Sequence, residues 1–186
     1  TTPIFATEIK PQCDKVFVLP NAVDPSEKQF MPNYEKSDKV RVGWLGGSSH
    51  MADLEILNGV IGKLGPAASK AQFVLCGFDT RGSVTMINQE TKEQTNRAIT
   101  PKESVWFKYE QIFTNGYNTV DENYKKYLME FKRDEYTEDF NDLNYRRVWT
   151  RPITTYAENY NRFDISLAPL KHHTFNRVKS QLKVIE

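Results

Sequence analysis

Cysteine is almost missing from this chain: Cys13 and Cys76 are its two, with no C-x-x-C pair and no Cys/His cluster at metal spacing. That excludes a disulfide framework and a cysteine-built metal centre, and it points to a reducing compartment. Long apolar runs are missing as well, none approaching the roughly 20 residues that cross a bilayer. The first residues lack a basic stretch followed by an apolar one, so a cytoplasmic location is expected. Charge of one sign is missing too. With 25 Lys and Arg against 24 Asp and Glu, the net charge of +1 gives a nucleic-acid partner no support. There is no G-x-S-x-G elbow, no H-E-x-x-H and no close catalytic triad, so neither a nucleophile nor a metal-bound water is named by motif.

What is present is 39% apolar and 26% charged residues over 186 positions, the composition of a globular domain with room for an appendage. Residues 15–20, KVFVLP, are β-branched and aromatic and read as a strand closed by Pro20. The Asn-, Pro- and Ser-rich stretch that follows reads as a linker or a surface excursion. VRVGWLGG (40–47) reads as a strand ending in a glycine pair. SSHMADLEILNGVIGKL then spaces Leu54, Leu57, Ile61 and Leu64 as one face of an amphipathic helix, with Ser49 as its expected cap. AQFVLCGF (71–78) completes a βαβ unit with parallel strands.

Residues 79–144 read as an insertion: a short strand at 83–88, a short helix in VWFKYEQIFTNGY, and a charged, exposed helix beyond it. Then come a strand (145–150), a helix after Pro152 and a buried strand in DISLAPL (164–170). A closing helix from about Phe175 should pack Phe175, Val178, Leu182 and Ile185 on the sheet. The predicted fold class is α/β: a Rossmann-like parallel sheet with flanking helices and a partly helical insertion.

Two constellations bear on chemistry. Gly46 and Gly47 at a strand's end, before a helix, suit close approach of a phosphate, although a plain strand-to-helix turn fits as well. His50 is then either an exposed first-turn residue or a donor to a ligand in the loop. On the closing helix Lys179 and Glu186 are seven residues apart, about 10.5 Å along the axis at 1.5 Å per residue. That length suits a nucleoside diphosphate, with the ammonium at its phosphates and the carboxylate at its ribose. A solvated face with a Lys183–Glu186 pair fits the same spacing. Tyr156 and Tyr160 are either a core stripe or a base-stacking wall. The basic and aromatic YKKYLMEFKRDEY reads as a solvated face, and His172-His173 as a loop after a strand end.

VFVLPNAVD, VRVGWLGGSSHMADL, YAENYNRFDISLAPL and FNRVKSQLKVIE together resemble the second half of a GT-B fold glycosyltransferase of group 1. The resemblance covers 15–79 and 145–186 and leaves the middle uncovered. It implies transfer of a sugar from a nucleotide sugar, without a metal or other cofactor and with retention at the anomeric carbon. It implies a donor-binding set of Gly46, Gly47, Ser48, His50, Asn176, Lys179, Ser180 and Glu186. The family's earlier glutamate is Val178 here, and SSHMADL lacks the usual Arg and Lys, so phosphate charge would fall to Lys179, Arg177 and backbone donors. It also implies that 1–37 ends a preceding acceptor-binding domain and linker, and that 38–186 is the donor domain, cut at its C-terminal end. Its partners would be a nucleotide sugar and that N-terminal domain, with the whole enzyme peripheral to a membrane. The competing reading is a Rossmann-like protein-interaction module with a vestigial nucleotide cleft.

Overall fold

The computed structural model describes residues 2–34, 36–79, 81–100, 103–114, 144–180 and 182. Helix α1 (Pro3–Ile9) opens the chain, its Thr2 cap accepting the Phe5 N–H. Strand β1 (Val40–Leu45) follows, then the one-turn helices α2 (Met51–Leu54) and α3 (Val60–Lys63), and strand β2 (Ala71–Phe78). An antiparallel ribbon of β3 (Ser83–Ile87) and β4 (Gln94–Ala98) leads to α4 (Val105–Thr114). Strand β5 (Tyr145–Trp149), a 3₁₀ segment (Tyr156–Arg162), β6 (Ile165–Ser166) and α5 (Thr174–Arg177) complete the order.

The central sheet is four-stranded and parallel, in the order β5-β2-β1-β6, as the α/β expectation requires. Seven of the eight β2 residues are buried, because β2 has a strand on each side and cover on each face. The two-residue alternation of a strand sorts the core into two layers. Trp44, Phe73 and Leu75 point to one face and meet Leu54, Ile61, Trp106, Tyr109 and Phe113. Leu45, Val74 and Cys76 point to the other and meet Val148 and Phe163, with Tyr156 and Tyr160 packed alongside.

Several expectations are corrected. Residues 15–20 form no strand, and Phe17 is 81% exposed. A β-favouring sequence is one that fits a half-buried pleat, and here no such surface is supplied. The helix expected to run from the Ser49 cap to Leu64 breaks after one turn into a 3₁₀ stretch, Glu55–Leu57. Gly59 then takes a φ of 69°, a left-handed conformation that stops a right-handed helix, before α3 begins. The expected face survives the break: Leu54 and Ile61 are buried, with Leu57 and Leu64 packed against them. The cap is His50 rather than Ser49, and it makes no side-chain capping bond.

The segment after Pro152 is 3₁₀ rather than α, and β6 is exposed rather than buried, being a two-residue edge strand. The closing helix also differs from expectation. α5 is one turn capped by His173, and Phe175, expected in the core, is 63% exposed. Lys179, expected on the closing helix, therefore follows its C-cap residue Val178. Leu182 is helical; Lys183, Ile185 and Glu186 lie outside the described residues, as does the helix expected beyond Asn115. Within the expected insertion, α4 is core: Trp106, Tyr109, Glu110 and Phe113 are all buried.

Candidate functional site at the switch point of the sheet

From β1 the chain moves outward to β2 and β5, then returns to lay β6 on the other side of β1. The loops leaving β1 and β6 meet at the C-terminal ends of these two strands, the switch point at which open α/β sheets hold ligands in a crevice. The first loop carries Gly46 to His50; the second carries 167–173 and runs into α5.

The two glycines have different surroundings. A Cβ on Gly46 would lie 2.4 Å from the buried Trp44 ring, so packing alone demands glycine there. A Cβ on Gly47 would meet no described atom within 4 Å. Gly47 and Ser48 are exposed at the turn. His50 is fixed three ways: its N–H donates to the Tyr109 hydroxyl at 2.9 Å, its ring sits edge-on to Trp44, and Nδ1 lies 3.2 Å from Asp53 Oδ2.

Asp53 ties the two loops together. Its Oδ1 accepts from the Lys171 N–H at 3.0 Å and from Asn176 Nδ2 at 2.6 Å. Its Oδ2 faces His50 and Lys179 Nζ, the latter at 3.5 Å. Burial pushes this carboxyl up, but the Lys171 N–H, His50, Asn176 and the Lys179 charge outweigh it and hold the group down at about 2. An ionised carboxylate only accepts, so His50 Nδ1 carries the proton it shares with Asp53.

Of the eight expected site residues, Gly46, Gly47, Ser48 and His50 come from the first loop, and Asn176 and Lys179 from α5 and the residues just after it. Asn176 Nδ2 donates both to Asp53 and to the Lys171 carbonyl, so it positions the second loop against the first. Lys179 also lies 5.0 Å from the Phe175 ring centroid, which together with Asp53 fixes its head. Ser180 accepts from Asn21 Nδ2 at 2.5 Å and so serves to hold the N-terminal segment. Glu186 lies outside the described residues. The expected helix N-terminus behind the glycines is four residues long and offers little dipole.

Sequence reasoning missed Asp53 as the organiser and Tyr109 as the support of His50. The position of Asp53 in the sequence reads only as that of an ordinary first-turn carboxylate. Tyr109 is 59 residues from its partner, and no local pattern signals such a contact. Among the described residues no group of three or more His, Cys, Asp or Glu could hold a metal ion. Comparison with protein-family models, curated proteins and solved structures finds no match to this chain. No described helix is long and apolar enough to cross a membrane.

Proposed function

We propose that this chain is the donor-binding domain of a glycosyltransferase that moves a sugar from a nucleoside diphosphate sugar to an acceptor, with retention at the anomeric carbon. The observation that carries the reading is the meeting of the Gly47 loop with Asn176 and Lys179 at the switch point, joined through Asp53. The four segments that resemble group 1 enzymes of the GT-B fold supply the reaction class.

In this reading the diphosphate lies against the Gly47 loop. As the bond to the sugar breaks, negative charge grows on the leaving phosphate, and an ammonium held in place beforehand meets it without reorganisation. Lys179 has three N–H donors, and Asp53 takes one. Asp53 is thus a positioning residue. The acceptor would be presented by a facing domain of the same enzyme, peripheral to a membrane, and the two free cysteines suit the reducing cytoplasm.

Calorimetry of the chain with UDP, GDP and ADP tests the reading. At least one should bind, and Lys179→Ala should weaken it roughly 10-fold or more, the loss of a charge-assisted hydrogen bond of about 1.5–3 kcal/mol. A folded chain that binds none of the three would end the proposal.

A further inference from the structure

A cavity of about 220 Å³ opens on the opposite flank of the same glycine loop, at the C-terminal ends of β1, β2 and β5. Gly46 and Gly47 form one side, Gly77 at the end of β2 its base, and Tyr156, Asn159 and Tyr160 of the 3₁₀ segment its cover. Gly77 has a φ of 100°, and a Cβ there would lie 2.7 Å from the Gly46 carbonyl oxygen, so this corner is closed to any side chain.

Asn159 is among the residues that line this space and is 1% exposed, and neither its Nδ2 nor its Oδ1 has a hydrogen-bond partner among the described residues. Buried amides in folded proteins are matched by protein, water or ligand. At roughly 30 Å³ for each water, the space exceeds what one bridging water would occupy. It is also smaller than the roughly 300–1,000 Å³ of sites for drug-sized molecules, so it suits a single ring system. Two tyrosines and a carboxamide, which presents a donor and an acceptor side by side, select a flat heterocycle with the reciprocal pair on its edge.

We propose that this cavity takes the nucleobase of the donor, with Asn159 reading the base edge while the diphosphate lies at Gly47. The inference rests on the nucleotide reading above and adds to it the residue that recognises the base. Gly46 and Gly47 belong to both the crevice loop and the cavity wall, so one ligand would reach both from a single position. Asn159 is then a specificity residue, and Lys179 is not.

The test is calorimetry on the whole chain with UDP, GDP, ADP and inorganic pyrophosphate, for the unchanged protein and for Asn159→Leu and Lys179→Ala. The expected result is a 10-fold or greater loss of nucleoside diphosphate affinity in Asn159→Leu with pyrophosphate affinity unchanged, while Lys179→Ala weakens both. If the nucleoside diphosphates bind and Asn159→Leu binds them as tightly as the unchanged chain, the cavity holds water only and this inference is overturned while the nucleotide reading stands. If neither pyrophosphate nor any nucleoside diphosphate binds, both are overturned. Should Asn159→Leu not fold, the side-chain amide resonance of Asn159 in the unchanged chain decides. It should move with nucleoside diphosphate and not with pyrophosphate, and a resonance that nucleoside diphosphate leaves in place overturns the inference.

Discussion

Gly46 and Gly47 are neighbours with opposite reasons to be glycine. Gly46→Ala would drive a methyl into Trp44 at 2.4 Å, and overpacking of this kind costs about 1–3 kcal/mol. Gly47→Ala meets no described atom, so its thermal midpoint should match the unchanged chain. If a diphosphate approaches the Gly47 backbone, however, the methyl should lower affinity for it. Thermal melts paired with calorimetry separate the two, and a Gly47→Ala chain with full affinity would place the ligand elsewhere. Asp53 gives a second prediction. Its folded pKa, about 2, is below the roughly 3.9 of an unfolded aspartate. Its contribution to stability is therefore present above pH 4 and is lost as pH falls toward 2. Asp53→Asn should flatten the fall in urea midpoint between pH 4 and pH 2.5; an unchanged slope would refute the assignment. The glycine loop, His50 and Lys179 were legible because each sits in a local pattern, whereas Asn176 entered only through the family resemblance. The bonds of Asp53 to residues 118 and 123 positions away were not legible, since only the fold makes them.

At the scale of elements, α4 is bound to β5 by a buried ion pair. The Arg147 guanidinium holds the Glu110 carboxylate at 2.6 and 2.7 Å, the Tyr145 hydroxyl adds a bond at 2.8 Å, and the Phe78 ring lies 4.2 Å from the guanidinium. Burial pushes the Glu110 carboxyl up, and Arg147 and Tyr145 oppose that shift. Removing one partner strands the other in the core, so Arg147→Met should cost about 3–5 kcal/mol in urea denaturation. Adding Glu110→Leu should return most of that loss, because an apolar pair of similar volume leaves no charge to desolvate. A double variant no more stable than Arg147→Met would show that the pair does more than satisfy itself. The strands β1, β2 and β5 and the face of α2 and α3 could be read from apolar periodicity. Periodicity could not show that Glu110 and Arg147 are interior residues, since each looks solvated until its partner is placed. Nor could it show that Phe175 is exposed, because an apolar position on a helix is buried only where a neighbouring element covers it.

At the scale of the whole molecule, the β3–β4 ribbon stands outside the packing that makes the sheet. Of its ten strand residues only Val84 is partly buried, and its cross-strand bonds, such as Thr85 to Asn96, are exposed. Its base is already closed, the Ile99 N–H donating to the Gly82 carbonyl at 3.2 Å. Residues 83–98 can therefore be replaced by a short Gly-Ser turn with little change in loop-closure entropy. The excised chain should keep its thermal midpoint to within about 4 °C, the shift that roughly 1 kcal/mol causes in a domain of this size. Its affinity for nucleoside diphosphate should be unchanged, because the crevice and the cavity are both built from the ends of β1, β2, β5 and β6. The same chain tests whether the ribbon contributes to the nucleotide site. Calorimetry decides: retained affinity assigns nucleotide binding to the sheet ends, and lost affinity in a folded chain would show that the ribbon takes part in it.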